Sequence, residues 1–132
     1  MRRSLLLLLA FVATMALAQI DYGKVINGHF TYYEDGGKGA CGTKIDAKKE
    51  KLVAISGGYF TVKDRSKDVY CKNLCVMVRY KGKELKVPVK DECPTKYCKK
   101  DHFDLSIAAY KHLEPNLKIG DVYGATFQFV KC

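Results

Sequence analysis

Six cysteines and three histidines are among the side chains in this 132-residue chain whose types could ligate a metal or act as nucleophiles. Cys71, Cys75, Cys93, Cys98 and His102 can be tried as a zinc set. Their Cys-x3-Cys and Cys-x4-Cys spacings are loose, and exported thiols oxidise, so three disulfides are the simpler use of six cysteines. Fifteen pairings are possible on paper. An even count leaves no free thiol for catalysis, and neither metal nor cofactor is expected.

The compartment follows from the first residues. Arg2 and Arg3 precede an apolar run from Leu5 to Val12, and Ala16-Leu17-Ala18 places small residues at a cleavage site. This pattern is a secretory signal peptide, so residues 1–18 are expected to be removed and residues 19–132 to form one extracellular domain. No run approaches the roughly 18 apolar residues of a membrane span, and no transmembrane anchor is expected. Lys and Arg total 23 against 14 acidic residues, and the excess is almost all lysine. Beyond the leader only Arg65 and Arg79 offer the planar fork that favours phosphate or base edges, which argues against a specific nucleic-acid partner. A solubilising lysine surface fits better; salt-sensitive attraction to anionic matrices stays open.

The elements that must position any site are short strands between turn signals. Gly28 to Tyr33 is aromatic and β-prone, and Gly36-Gly37-Lys38-Gly39 reads as a loop. Leu52 to Ser56 is an apolar strand ended by Gly57-Gly58. Cys75 to Tyr80 and Glu84 to Lys90 read as a hairpin joined by Lys81-Gly82-Lys83. Leu85, Val87 and Val89 alternate with polar residues, and Pro88 suggests an edge or irregular pairing. One helix is expected from about Ser106 to Leu113, capped by Asp104 or Ser106 and followed by Pro115. Val122 to Val130 returns to β character, with Phe127 and Phe129 on one face. These elements predict a small all-β barrel with one short helix, stapled because so small a core is marginal alone.

Four segments carry a resemblance to a known group. They are Gly28-His29-Phe30-Thr31-Tyr32-Tyr33 with Gly39-Ala40-Cys41-Gly42; Leu52-Val53-Ala54-Ile55-Ser56; Val87-Pro88-Val89-Lys90-Asp91-Glu92-Cys93-Pro94; and His102-Phe103-Asp104-Leu105-Ser106, with Phe127 to Cys132 closing. In this order they resemble the secreted double-psi β-barrel proteins: rare lipoprotein A-like proteins, barwin, kiwellin, plant natriuretic peptides, expansin first domains and family 45 endoglucanases. The resemblance implies a six-stranded double-psi barrel with one or two short helices. It also implies the pairs Cys41 with Cys71, Cys75 with Cys132, and Cys93 with Cys98.

Hydrolytic members cleave glycosidic bonds with an acid that matches Asp104 and a base that falls, without gaps from Thr31, on Asp35. Asp35 also lies in a Gly-rich loop, where Asp serves turn chemistry. Non-hydrolytic members imply Thr31 orienting a carboxylate, Asp91 sharing a proton with its neighbour, and Asp104 donating one; two close acids raise one pKa. Asp104 can equally be a helix cap. Tyr32, Tyr33, Tyr59, Tyr97 and Phe103 could stack on sugar rings, with Tyr32, Tyr33 and His102 as substrate-binding candidates, although aromatics in a small domain are often core. His29 and His112 carry no motif. Where lytic transglycosylases place a further His, this chain has Gly57-Gly58-Tyr59.

The resemblance thus implies, first, a secreted monomer that binds or non-hydrolytically modifies extracellular polysaccharide through Asp104, Asp91 and Thr31. An alternative is a protein-binding module, such as a cysteine-protease inhibitor or secreted effector. A second alternative is an inverting glycosidase with Asp35 as base.

Overall fold

The structure, a computed structural model, describes residues 20–132; the expected leader lies outside the described residues. Its elements are β1 (Ile26–Tyr33), β2 (Gly36–Lys38), β3 (Lys44–Asp46), β4 (Val53–Ser56), β5 (Leu74–Tyr80), β6 (Lys83–Cys93), β7 (His102–Ser106), α1 (Ile107–Leu113) and β8 (Val122–Lys131). Six strands close into a barrel in the order β1-β7-β4-β6-β5-β8, and β2 with β3 forms a separate small ladder. The β1–β7 and β4–β6 ladders are parallel; the other barrel ladders are antiparallel. Parallel neighbours cannot be joined by a tight turn, so the chain must cross the barrel to make them.

Side-chain alternation fills the interior. Phe30, Val76, Val78, Val87, Phe103, Leu105 and Phe127 are fully buried. Phe103 stacks on Phe127 at 4.1 Å between centroids, and Phe30 meets Phe127 edge-on at 6.4 Å. Each such side chain contributes on the order of 2 kcal/mol by leaving water.

The hairpin is tighter than its sequence suggests. Tyr80 pairs with Lys83, so the turn is two residues, with Lys81 at φ 46° and Gly82 at φ 77°. Positive φ at both positions gives the twist that matches flanking strands. Pro88 pairs with Cys75 on β5, while pairing with β4 begins only at Val89, so the missing N–H falls where β6 has one neighbour.

Ser106, not Asp104, caps α1: its Oγ accepts from the Ala109 amide at 3.2 Å and from Leu52 N at 3.0 Å. Asp104 lies earlier, within β7, and is free for another role. Disulfides join Cys41 to Cys71, Cys75 to Cys132 and Cys93 to Cys98, spanning 30, 57 and 5 residues. Loop-closure entropy makes the first two worth roughly 3–4 kcal/mol each, while the third shapes a turn.

Candidate functional site

Register places the acids. Thr31 on β1 lies opposite Asp104 on β7, Asp104 lies opposite Ala54 on β4, and Ala54 lies opposite Asp91 on β6. Four neighbouring strands therefore hold Thr31, Asp104, Ala54 and Asp91 in one row. At about 4.8 Å per strand the two acidic residues' backbones are roughly 10 Å apart, with only an alanine methyl between them. One step along the same face, His29 pairs with His102, because residues two apart on a strand point the same way. The result is a two-by-two array of His29, Thr31, His102 and Asp104.

Thr31 Oγ1 donates to Asp104 Oδ1 at 2.9 Å. Burial pushes the Asp104 carboxyl from 3.8 to about 6; the Thr31 bond pulls against this, and the charges of Asp35 and Asp91 add to it. Asp91 is held differently: its Oδ1 accepts from Ala40 N and Glu92 N, both at 2.9 Å, and its Oδ2 accepts from the Tyr33 hydroxyl at 3.1 Å. The Ala40 bond docks the Gly39-Ala40-Cys41 turn on β6. A side chain at Gly39 would meet the Lys90 carbonyl at 2.5 Å, so only glycine allows this approach. Tyr33 packs on Ala54, Cys93 and Cys98, and burial, then the Asp91 charge, raises its phenol far above the ordinary range. The phenol is thus a permanent donor, and its ring packs against the cluster that includes the alanine between the acids.

His102 Nε2 lies 2.8 Å from Thr31 Oγ1, and its Nδ1 lies 3.2 Å from the Tyr97 carbonyl oxygen. Its ring stacks on His29 at 4.3 Å, His29 stacks on Tyr123 at 4.7 Å, and His29 Nδ1 lies 2.6 Å from Asp121 Oδ1. Burial, and then the neighbouring His29, lowers the His102 pKa below 6.5. Tyr123, which stacks on His29, is 68% exposed, and Tyr97, whose carbonyl meets His102, is 69% exposed.

The remaining expected residues are placed elsewhere. Asp35 is exposed in the β1–β2 turn; its carbonyl accepts from Ala47 N at 2.9 Å, while its charge reaches Asp104 and Tyr33. Tyr32 is on the other face of β1, the one shared with buried Phe30; it packs edge-on against Tyr110 at 4.7 Å, and its hydroxyl donates to Leu117 O at 3.4 Å. Phe103 is core. Tyr59 lines a different cavity of about 410 Å³ with Tyr70, Phe129, Lys100 and Asp101. The five expected aromatics therefore do not form one sugar-stacking groove: alternation along β1 turns Tyr32 away from Tyr33, Phe103 points into the core, and Tyr59 lies in the turn after β4. His29, Asp121, Tyr123 and Ala54 were not singled out from sequence, although His29 shares a face with Thr31 by the period of two alone.

Chemically, the array offers one carboxyl, Asp104, that keeps its proton up to about pH 6, and the same row holds Asp91, whose oxygens already accept three hydrogen bonds. Among the described residues no group of three or more His, Cys, Asp or Glu side chains could hold a metal ion. No helix among the described residues is long and apolar enough to cross a membrane.

Comparison with known proteins places this geometry in a family. The papain inhibitor of Streptomyces mobaraensis is 42% identical over 123 residues, which cover 93% of this chain and 84% of the inhibitor. The structure of the Streptomyces papain inhibitor superimposes with a TM-score of 0.81 at 43% identity, over 86% of this chain and 100% of that one. An apo expansin of Clavibacter michiganensis shares the fold, with a TM-score of 0.59 at 21% identity over 83% of this chain and 50% of the expansin. The family model described as lytic transglycolase matches residues 25–122. The chain belongs to that double-psi β-barrel family.

Proposed function

We propose that this chain is a secreted protein-binding module that inhibits papain-like cysteine proteases. The observation that carries this reading is the 42% identity to a papain inhibitor across 93% of the chain. Three disulfides support it, because they hold the surface loops in one geometry and so lower the ordering cost of docking on another protein. The reading includes removal of residues 1–18 on export and action of residues 19–132 as an extracellular monomer.

Binding of extracellular polysaccharide through Asp104, Asp91 and Thr31, placed first by the sequence resemblance, is the second reading. The specific observation in its favour is the row of Thr31, Asp104 and Asp91 with the Asp104 carboxyl raised to about 6.

The two separate in one experiment. Oxidised protein is titrated into papain with a chromogenic peptide substrate, and in parallel is passed over immobilised β-glucan and chitin oligomers. The inhibitor reading expects loss of papain activity with a stoichiometric endpoint, equally for wild type and Asp104→Asn. Full papain activity at large molar excess overturns it. Glycan retention that Asp104→Asn abolishes establishes the second.

A further inference from the structure

The hydrogen bonds from Tyr97 to Asp104 cannot all form with the hydrogens that the ordinary ionisation states supply. The Tyr97 carbonyl only accepts, so His102 Nδ1 carries a hydrogen. Neutral His102 then has no hydrogen on Nε2, and an ionised Asp104 has none at all. Thr31 owns one hydroxyl hydrogen but sits between two acceptors, at 2.8 Å and 2.9 Å. Completing both contacts takes at least one hydrogen more.

We propose that Asp104, Thr31 and His102 form a shared-proton site, in which one exchangeable proton resides on either Asp104 or His102 and passes through the Thr31 hydroxyl. In one form the protonated Asp104 carboxyl donates to Thr31, and Thr31 donates to neutral His102 Nε2. In the other, imidazolium Nε2–H donates to Thr31, and Thr31 donates to the Asp104 carboxylate. Interconversion breaks the Asp104 O–H bond and the original Thr31 O–H bond, and forms a new Thr31 O–H bond and an Nε2–H bond. Atoms and charge balance with no other reactant. Removing the proton costs one of the two Thr31 hydrogen bonds.

The surroundings set where the proton rests. On the Asp104 side, Asp35 and Asp91 favour the protonated acid, and Tyr33 donates to Asp91 rather than to Asp104. On the His102 side, Asp101 and Asp121 favour the imidazolium, while burial and the stacked His29 oppose it. Burial and the His29 ring stacked at 4.3 Å lower the affinity of His102 for the shared proton and so drive it toward Asp104. The opposed shifts, Asp104 upward and His102 downward, bring the two affinities together, as sharing requires. His102 is therefore a positioning residue that reloads Asp104. This assignment is independent of the protease reading.

The test is a titration of isotope-labelled, oxidised protein from about pH 4 to about pH 9, following the Asp104 carboxyl carbon and both His102 ring nitrogens by NMR. The expected result is two-step curves whose midpoints coincide for the two residues. Thr31→Val should turn them into separate single-step curves, with at least one midpoint moved by about one pH unit or more, and Thr31→Ser should restore the coupling. If Thr31→Val does not fold, Asp104→Asn serves instead, and loss of one step from the His102 curve is expected. Independent single-step curves in the wild type, or a His102 curve that Asp104→Asn leaves unchanged, overturn the proposal.

Discussion

The Tyr33 hydroxyl meets the Asp91 carboxylate at 3.1 Å, although their strands are separated in the barrel by β7 and β4. The ring reaches across the sheet to make this bond and packs against the cluster of Ala54, Cys93 and Cys98. A tyrosine thus ties β1 to β6 without any backbone ladder between them. Tyr33→Phe keeps the ring and deletes the donor. It should lower stability by about 1 kcal/mol, read as a lower denaturant midpoint at unchanged slope. An unchanged midpoint would mean that the ring's packing alone carries the tie.

Asp104 should make the protein less stable as pH rises. Its folded pKa, about 6, lies above its ordinary 3.8, so below the lower value both states are protonated and the group is neutral in its effect. Between the two values the unfolded chain releases a proton that the folded one keeps. Above about 6 the folded state carries the full cost of a buried carboxylate, on the order of 3 kcal/mol. Asp104→Asn should therefore raise the melting temperature at neutral pH, with the gain shrinking toward pH 4. A gain that is the same at both ends would refute this origin.

Asp68 should show the opposite slope. Its carboxylate is buried at 1% exposure, where Oδ2 accepts from Thr61 N at 2.6 Å, Val62 N at 2.9 Å and Thr61 Oγ1 at 3.2 Å, and Oδ1 accepts from Tyr70 N at 3.0 Å. Burial pushes its pKa up, but these bonds together outweigh burial and hold it below the ordinary range. The stabilisation is present above the ordinary carboxylate range and is lost as pH falls through the folded pKa. Asp68→Asn turns an NH2 group toward backbone donors and should cost roughly 2–4 kcal/mol at neutral pH by urea unfolding, with less cost in acid. Equal cost at both pH values would contradict a charge-based role.

Local pattern made the barrel legible where hydrophobic alternation was strong. The β5–β6 hairpin and the Phe127, Phe129 face of β8 followed from period-two spacing. The hairpin turn is one residue shorter than Lys81-Gly82-Lys83 suggests because Lys81, a residue with no special liking for it, adopts φ 46°. Gly36–Lys38 read as loop because a wholly exposed, glycine-rich strand has no apolar face to reveal it. Thr31, Asp91 and Asp104 entered through family likeness, since nothing local distinguishes them. Tyr32 could have been set aside on alternation, because it shares the Phe30 face. Ala54 could not have been found, since its importance exists only in the register of three strands. The His29–Asp121 pair joins groups 92 residues apart and left no local trace.

The parallel ladders also govern how the native state is reached. Thr31 and Asp104 are 73 residues apart in sequence, and Tyr33 and Asp91 are 58 apart. Contacts of such long range place the chain among slow folders, with closure in milliseconds to seconds. β4 pairs with β6 only from Val89 to Cys93, so the stretch from Lys83 to Pro88 has β5 as its one neighbouring strand even in the finished barrel, and Lys83 and Lys86 along it present like charges to any second chain that approaches. Charges along a strand edge oppose its pairing with another copy, so these lysines guard the part of β6 that no second strand covers.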